Sequence, residues 1–222
     1  MNRLFYFISV LLFLTACGGK DNKSEVESEN TEELSGGPEV FGIDPTMGVP
    51  QGLPVGIKSP GFGTRDINGS SVDLYGITQS SAVVLMFYRG NWCPHCSKHI
   101  ANLSDSVDLL LQKGVRIIAI TPENREDATE FTSKLNNKIT VISDNTGALM
   151  KAFDVRFNVN ESYQEQLISS KNMTLEEHNK SDKNFLPVPA TYIIDKSGTI
   201  TYRHFDLNYQ NRASIREIIE AL

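Results

Sequence analysis

The sequence predicts one α/β domain with a central mixed β-sheet flanked by helices and an N-terminal β-hairpin. Short apolar runs alternate along the chain with segments of helical periodicity, and this alternation is typical of parallel β-α-β units. The dipeptide Asn68-Gly69 lies between two short strand-like segments, which is a strong signal for a tight hairpin turn. About 170 to 180 residues follow the polar N-terminal region, a length that suits one ordinary domain.

The predicted elements follow the hairpin in a regular order. The apolar run 82–88 suits a strand that is buried on both faces of a sheet. A helix of about 19 residues begins at Pro94, because apolar residues recur at helical spacing as far as the stop signal Gly114. The remaining segments predict strands at 115–120, 139–142, 190–195 and 199–205, and helices at 123–135, 146–153 and 211–222.

Two segments stand outside this alternation. Residues 38–60 combine Gly and Pro with scattered apolar residues, which predicts an extended lead-in packed against the domain at 61–222. The polar segment 158–184 contains one possible helix, around residues 175–179, and forms an insertion before the last structural unit. It is either a specificity lid or a disordered loop.

The N-terminus predicts export and a lipid anchor. Arg3 precedes the apolar run 4–14, so residues 1–16 have the layout of a secretory signal peptide. That run is too short to span a bilayer, which requires about 20 apolar residues. Leu14-Thr15-Ala16-Cys17 resembles the lipobox of bacterial lipoproteins, which implies that Cys17 is lipidated and that the polar residues 17–37 form a flexible linker.

The same resemblance implies a location in the cell envelope. Gly18, rather than Asp, follows the lipidated cysteine, and this resembles the pattern sorted to the periplasmic face of the outer membrane in Gram-negative bacteria. The alternative is ordinary secretion with a chance cysteine at position 17.

Charge and composition bear on the class of partner. The chain is 40% hydrophobic, has a net charge of -6 and a pI near 5.3. A nucleic-acid-binding protein usually carries a basic patch and a high pI. We therefore expect no nucleic-acid partner.

The cysteines carry the chemistry. Of the three in the chain, Cys17 is assigned to the lipid anchor, which leaves Cys93 and Cys96 separated by two residues. A cysteine at a helix N-terminus is stabilised as the thiolate by unpaired backbone N–H groups, and Pro94 suits the first helical position. We therefore predict Cys93 as the attacking thiol and Cys96 as the resolving thiol of a redox-active disulfide.

Three neighbours of the pair have both a functional and an ordinary interpretation. His95 is expected to lower the pKa of Cys93 by adding positive charge, or else it caps an exposed turn. Trp92 shields the cysteines, or is ordinary packing. Arg89 attracts an anionic substrate, or caps the end of the strand.

Metal binding is a further alternative, because Cys93 and Cys96 lie near His95 and His99 in the sequence. A structural zinc site usually draws a second pair of ligands from elsewhere in the chain, and only the separate His178 and His204 are available. We expect no metal and no organic cofactor. A metal-binding or scaffold lipoprotein is the hypothesis from a different class.

Trp92-Cys93-Pro94-His95-Cys96, after an apolar strand and before a long helix, resembles the active site of the thioredoxin family. Its Pro-His dipeptide is similar to that of an oxidising member of the family. The segment 188–195 resembles the family's cis-proline segment, which implies that Pro189 is a cis proline beside the cysteines. The resemblance implies a thioredoxin-like fold and thiol-disulfide exchange.

A longer resemblance covers the chain from about Phe62 to the C-terminus. The segment 87–96, Ser143-Asp144 before a helix, the polar insertion, and 186–191 resemble the peroxiredoxin-like branch of the alkyl hydroperoxide reductase and thiol-specific antioxidant (AhpC/TSA, redoxin) family. Peroxiredoxins of this family have a proline seven residues and a threonine three residues before the peroxide-reacting cysteine. Counting back from Cys96 gives Arg89 and Cys93 instead.

Two activities follow from these resemblances. The first is thiol-disulfide exchange with protein thiols or disulfides, coupled to a thiol reductant or oxidant of the cell envelope. The second is peroxidase activity, in which a small hydroperoxide oxidises Cys93 to the sulfenic acid and Cys96 condenses with it. The missing proline and threonine weigh against the second.

Overall fold

A computed structural model describes residues 37–133 and 138–222. The predicted signal peptide 1–16, Cys17 and the linker as far as residue 36 lie outside the described residues. The strands are β1 (Gly63–Arg65), β2 (Ser71–Asp73), β3 (Ala82–Phe87), β4 (Val115–Thr121), β5 (Thr140–Ser143), β6 (Arg156–Asn158), β7 (Phe185–Pro187), β8 (Ala190–Ile194) and β9 (Ile200–Phe205). The helices are α1 (Leu74–Thr78), α2 (Pro94–Asp105), α3 (Val107–Gln112), α4 (Arg125–Thr132), α5 (Ala148–Ala152), α6 (Glu161–Lys171), α7 (Leu175–Asn179) and α8 (Ile215–Glu220).

The central sheet has the order β5-β4-β3-β8-β9. Strands β3, β4 and β5 pair in parallel, whereas β8 pairs antiparallel to β3, and β9 antiparallel to β8. The predicted α/β fold with a central mixed sheet is therefore confirmed. The predicted hairpin is also present, because β1 and β2 pair antiparallel around a turn in which Gly69 has φ +87°.

Side chains of β3 alternate between two apolar layers. Val84 and Met86 belong to the layer that includes α2, α3 and α8, whereas Val83, Leu85 and Phe87 pack in the layer that includes α5. All five are buried. A strand buried on both faces explains why its sequence is continuously apolar rather than alternating.

The predicted long helix after the cysteines is divided in two. Helix α2 ends at Asp105, the following Ser106 has φ -100° and ψ 4°, and α3 begins at Val107. Ser and Asp side chains compete for backbone hydrogen bonds, so the run Ser104-Asp105-Ser106 disfavours a continuous helix. The apolar spacing does not reveal this break, because Leu103 and Val107 are buried on either side of it.

The insertion is ordered, so the disordered-loop alternative for 158–184 is wrong. It contains α6 and α7 and is closed at its base by the antiparallel pair β6 and β7. The side chain of Asn160 caps α6 by accepting a hydrogen bond from the Tyr163 amide. A separate apolar cluster forms beneath the insertion, from Ile43, Phe157, Val159, Leu167, Met173, Leu175, Leu186 and Val188.

The prediction of a cis bond at Pro189 is wrong, since the described residues contain no cis peptide. Pro189 lies between β7 and β8, and the Val188 amide donates to the carbonyl of Val155 at 2.7 Å. The peptide bond before Pro189 is trans, and the chain then enters β8, where Ala190 pairs with Phe87. Pro189 is still brought to the end of β3 from which the cysteine segment departs.

The lead-in 38–60 consists of two short 3-10 turns, Pro38–Phe41 and Pro45–Met47, joined by irregular chain. Single β-bridges attach Ile43 to Val159 and Lys58 to Thr199. Across residues 37–133 and 138–222, no helix is both long and apolar enough to cross a membrane.

Candidate active site

The site lies at the edge of the sheet where the parallel strands end. The segment that leaves β3 carries Arg89 to Cys93, and the segment that leaves β4 carries Glu123. Ligand and catalytic sites of α/β sheets are commonly found outside the carboxyl ends of such strands. Here the two segments are joined directly, because the Asn91 amide donates to Glu123 Oε1 at 2.8 Å.

The two cysteines lie at the start of α2 and both are free thiols. Cys93 is the N-cap residue, and its carbonyl accepts hydrogen bonds from the amides of Cys96 and Ser97, both at 3.0 Å. Cys93 is 2% exposed and Cys96 is fully buried. The structure therefore brings the predicted pair together and encloses both sulfurs.

Arg212 contacts the pair from the other end of the chain. Its Nη2 donates to Cys96 Sγ at 3.3 Å, and its Nε donates to the carbonyl of Tyr209 at 2.7 Å. A guanidinium beside a sulfur favours the thiolate over the thiol. Arg212 is therefore a component of the site.

The expected low pKa of Cys93 is not found in the reduced protein. The hydrogen bond with Cys96 and burial raise the pKa of Cys93 far above its ordinary value. Burial alone would also raise the pKa of Cys96, but the hydrogen bond from Cys93 and the positive charges of Arg212 and Arg89 lower it well below the ordinary value. The hydrogen bond between the sulfurs and the two arginines therefore favour ionisation of Cys96 over ionisation of Cys93.

Arg89 is a second cation of the site, and it is 1% exposed. Its guanidinium lies 4.0 Å from the ring centroid of Tyr209, 4.9 Å from Tyr163 and 5.3 Å from Trp92. Its Nη2 donates to the Tyr163 hydroxyl, while Nε and Nη1 have no hydrogen-bond partner among the described residues. Cation–π contacts rather than a carboxylate accommodate this charge, so it remains available to the sulfurs.

The other residues predicted around the pair have different positions. Trp92 is half-buried and packs both against the α2 layer and against the cluster beneath the insertion. Pro94 is the exposed first residue of α2. His95 is exposed too, and its ring meets Tyr209 edge-on at 5.8 Å between centroids. Arginines, which the sequence did not single out as the charge source, supply the cations that lower the pKa of Cys96.

A buried carboxylic acid, Glu123, also belongs to the site. Glu123 is 1% exposed, and its Oε2 has no hydrogen-bond partner among the described residues. Burial, the charge of Asp127 and the charge of Cys96 raise the pKa of Glu123 to about 8, against the opposing hydrogen bond from the Asn91 amide. Burial and the charge of Glu123 also raise the pKa of Tyr88.

Gly90 allows these groups to approach one another. Its φ is +145°, and a Cβ at this position would lie 2.4 Å from Trp92 Nε1 and 2.8 Å from Glu123 Oε1. Only glycine meets both requirements, because a side chain would be strained by the backbone angle and would collide with both neighbours.

No ligand set for a metal is assembled in the described part of the chain, where no three side chains of His, Cys, Asp or Glu converge. His99 Nε2 lies 3.0 Å from the carbonyl of Ala213. Burial and the charge of Arg212 lower the pKa of His99 to about 4.

The fold and the dithiol site together define an oxidoreductase of the thioredoxin-like class. The chain belongs to the AhpC/TSA family, whose family model matches residues 55–203. This confirms the family resemblance found in the sequence.

Two curated relatives illustrate the range of the family. The thiol-disulfide oxidoreductase ResA of Bacillus thuringiensis is 23% identical over 149 residues, which cover 67% of this chain and 68% of that protein. Peroxiredoxin Bcp of Escherichia coli is 28% identical over 103 residues, 46% of this chain and 65% of that protein.

Solved structures show the same fold. Reduced Prx3 of Vibrio vulnificus in complex with H2O2 superposes with a TM-score of 0.60 and 16% identity over 77% of this chain and 99% of that one. Peroxidoxin BcpB of Mycobacterium tuberculosis gives a TM-score of 0.58 and 15% identity over 76% of this chain and 96% of that one. The predicted thioredoxin-like fold is thereby confirmed.

Proposed function

We propose that this oxidoreductase exchanges disulfides with proteins of the bacterial cell envelope through Cys93 and Cys96. The observation that carries the proposal is the enclosed pair of free thiols at the start of α2, with the Arg212 guanidinium in contact with Cys96 Sγ. A dithiol in which a cation favours the thiolate is equipped for two-electron exchange.

We expect Cys93 to react first. Both cysteines are buried, but Cys93 keeps 2% of its surface exposed and Cys96 keeps none, so a protein disulfide would reach Cys93 first. Transfer of the proton from Cys93 to Cys96 along their hydrogen bond gives the Cys93 thiolate, which attacks and forms a mixed disulfide. Cys96 then resolves it, which forms the Cys93–Cys96 disulfide and releases the reduced partner.

The test mixes the reduced full chain with a disulfide-bonded client protein and traps the mixed disulfide that forms between them. Cys96→Ser should accumulate a mixed disulfide on Cys93, because the resolving thiol is missing, whereas Cys93→Ser should accumulate none. Accumulation in Cys93→Ser but not in Cys96→Ser would reverse the order of the two thiols.

A thiol peroxidase is the second candidate, and the contact between Arg212 and Cys96 Sγ favours it. A small hydroperoxide needs less access than a protein. The Cys96 thiolate would attack the terminal peroxide oxygen and release the alcohol or water, which leaves a sulfenic acid. The Cys93 thiol would then condense with it and release water. This order is the reverse of that expected from the sequence, which placed the sulfenic acid on Cys93.

Rapid mixing of the reduced chain with hydrogen peroxide, followed by trapping of sulfenic acid, separates the two activities. Oxidation much faster than that of a free thiol, with the sulfenic acid on Cys96 in Cys93→Ser, would establish the peroxidase. Oxidation at the rate of a free thiol would leave disulfide exchange as the function.

The lipid anchor at Cys17 and the outer-membrane location are part of the same proposal. They rest on the signal-like residues 1–16 and the Leu14-Thr15-Ala16-Cys17 segment. Metabolic labelling with a fatty-acid analogue should label the wild-type chain and fail to label Cys17→Ala. Equal labelling of both would remove the anchor from the proposal.

A further inference from the structure

Arg89 is a buried cation that no carboxylate neutralises among the described residues. It follows β3, is 1% exposed and belongs to none of the ion pairs found there. Its Nη2 donates to the Tyr163 hydroxyl, whereas Nε and Nη1 have no hydrogen-bond partner in the described ranges. A buried charge and buried donors without partners are both costly. An anion bound to these N–H groups would offset that cost.

Three aromatic rings cover Arg89. The centroid of Tyr209 lies 4.0 Å from the guanidinium carbon, that of Tyr163 4.9 Å and that of Trp92 5.3 Å. Each of these three residues is itself partly exposed. The guanidinium therefore lies one side chain below the surface, and a rotamer change in one ring would expose its N–H groups.

The same aromatic residues border the reacting cysteine. Trp92 directly precedes Cys93 in the chain. The Tyr209 ring meets the ring of His95, two residues after Cys93, at 5.8 Å between centroids. A substrate that reaches Cys93 therefore meets the residues that cover Arg89.

Tyr209 also connects Arg89 to the second sulfur. While its ring packs on Arg89, its carbonyl accepts the hydrogen bond from Arg212 Nε at 2.7 Å. Arg212 Nη2 in turn donates to Cys96 Sγ at 3.3 Å. The unpaired donors of Arg89 thus belong to the immediate surroundings of the dithiol.

The chemistry of Arg89 favours a carboxylate as the anion. A guanidinium presents its N–H donors as a planar fork that matches the two oxygens of a carboxylate. These charge-assisted hydrogen bonds are stronger than a bond to a neutral hydroxyl, so a carboxylate would replace the Tyr163 hydroxyl on Arg89. Among the anions that a guanidinium matches, carboxylates are the ones that protein partners carry in Asp, Glu and the C-terminus.

We propose that Arg89 binds a carboxylate beside the disulfide of the substrate and thereby selects acidic disulfides for exchange with Cys93. The inference rests on the disulfide exchange proposed above and deepens it by naming the substrate class. The Cys93 thiolate bonds to one substrate sulfur, and the other sulfur leaves. Cys96 then bonds to Cys93 and releases the first sulfur. The dithiol loses two electrons, the substrate disulfide gains two, and the two thiol protons end on the released sulfurs.

Three aliphatic disulfides of similar size test this preference. Dithiodipropionate carries carboxylates, bis(hydroxyethyl) disulfide is neutral and cystamine carries ammonium groups. The reduced full chain with Cys17→Ser is suitable, because Cys93 and Cys96 are then its only cysteines. Each second-order rate of thiol loss is divided by the rate with N-acetylcysteinamide, an uncharged thiol, which removes the intrinsic reactivity of the disulfide.

The chain should react with dithiodipropionate about tenfold faster than with the neutral disulfide, the effect of a charge-assisted hydrogen bond. Its net charge of -6 would by itself favour cystamine. Arg89→Met should abolish the preference and slow the neutral disulfide only about threefold. If Arg89 acted only on the thiolate, all three disulfides would slow by the same factor, and the proposal would be overturned.

Arg156→Met is the matched control. It removes the same charge and a cation–π contact, here with Phe185 at 4.2 Å, that does not involve the cysteines. Its preference should equal that of the unsubstituted chain, and a loss as large as in Arg89→Met would assign the effect to net charge.

Two further variants keep the proposal testable if Arg89→Met does not fold. Arg89→Lys replaces the fork by a single ammonium, so the preference should decrease, and an unchanged preference would contradict recognition by the guanidinium. Tyr163→Phe removes the hydroxyl that a carboxylate must replace, so the preference should be at least that of the unsubstituted chain. A loss of preference in Tyr163→Phe would contradict this replacement.

The source of the carboxylate is tested with two oxidised peptides that differ only in Glu or Gln beside the cysteine. A faster reaction of the Glu peptide, lost in Arg89→Met, would assign the carboxylate to acidic residues of protein partners. A preference limited to dithiodipropionate would assign it to small acidic disulfides.

The neutral disulfide distinguishes this inference from the function on which it rests. Oxidation by bis(hydroxyethyl) disulfide that does not require Cys93 would refute the proposed exchange, whatever Arg89 does. Oxidation that requires Cys93 but shows no preference for the carboxylate would refute only the role of Arg89.

Discussion

The basic and the acidic residues of the site are held in different ways. Arg89 packs against aromatic rings, and Arg212 donates to a backbone carbonyl and to Cys96. Glu123 is buried with one oxygen unpartnered among the described residues. No salt bridge joins Glu123 to either arginine among the residues described.

The two kinds of residue respond to the site in opposite ways. The arginines lower the pKa of Cys96 and favour the thiolate. Burial first, and then the charges of Asp127 and Cys96, raise the pKa of Glu123 to about 8 and favour its neutral acid form. The site therefore favours the ionised form of Cys96 and the neutral form of Glu123.

The largest effect is expected from removal of the buried acid. The folded pKa of Glu123 is raised from its ordinary 4.5 to about 8, so its contribution to stability is present below pH 4.5 and is lost as pH rises to about 8. At about 1.4 kcal/mol per pKa unit, wild type should lose on the order of 5 kcal/mol more than Glu123→Gln over that interval. Urea unfolding at several pH values measures this difference.

An exposed neighbour provides the control for that comparison. Glu126→Gln removes a carboxylate from the first turn of α4, where it is exposed. Its unfolding free energy should follow the pH dependence of wild type. Parallel curves for wild type and Glu123→Gln would show that Glu123 ionises normally in the folded chain.

Gly90→Ala should disturb both sides of the site at once. The new Cβ would collide with Trp92 Nε1 and with Glu123 Oε1, at a residue whose φ is +145°. Strain of this kind costs about 1–3 kcal/mol, and the collision adds to it. Thermal unfolding and the rate of thiol alkylation should both change.

Gly48→Ala separates backbone strain from collision. Gly48 has φ +93° but has no atom within 4 Å of the position of a Cβ. We expect it to cost about 1 kcal/mol and to leave the thiols as reactive as in wild type. If Gly90→Ala were no worse than Gly48→Ala, the close approach of Trp92 and Glu123 to Gly90 would be without consequence.

The sequence predicts the strand and the cysteine pair of this site better than it predicts the charged residues around them. Strand β3 and the cysteine pair are found because a continuous apolar run and a CxxC spacing are local patterns. Arg212 and Cys96 are 116 positions apart in the sequence, and no local sequence pattern predicts a contact between them. The sequence predicts Glu123 only as the first residue of a helix, because a single acidic residue in a sequence does not indicate whether its side chain is buried.

The insertion shows the same limit in a secondary-structure element. Helix α6 was missed because Leu167 is its only buried residue, so the helix has hardly any apolar stripe. The capping residue Asn160 was a usable signal, since Asn is favoured at helix N-termini. Tyr163, which places its ring and hydroxyl on Arg89, comes to the site through this helix.

Arg212→Gln should have the next largest effect. It removes the guanidinium that contacts Cys96 Sγ, and a hydrogen bond to a charged group contributes about 1.5–3 kcal/mol. Because Arg212 is half-buried, we expect the lower end, which is about a tenfold decrease in the acid dissociation constant of Cys96 and shifts the rise of its reactivity to higher pH. The pH dependence of iodoacetamide alkylation measures it. Arg216→Gln, which loses only an exposed pair with Glu220, should match wild type.

Arg89→Met should have a smaller effect than the substitutions of Glu123, Gly90 and Arg212. It tests whether the cation that the three aromatic rings surround acts on the sulfurs. The charge of Arg89 lowers the pKa of both cysteines, but in each it follows larger causes. We expect alkylation at pH 7 to fall about threefold, which is less than for Arg212→Gln.

Stability provides the second measurement on Arg89→Met. A methionine fills an aromatic cage without the cost of burying an unpaired cation, while the cation–π contacts are lost. These changes oppose one another, so the free energy of unfolding should move by less than about 1–2 kcal/mol.

Arg156→Met is the control, because Arg156 lies 4.2 Å over the ring of Phe185 in a cation–π contact that does not involve the cysteines. If Arg156→Met slowed alkylation as much as Arg89→Met, the loss would come from weakened packing. A slower reaction in Arg89→Met alone, at nearly unchanged stability, would assign it to the charge.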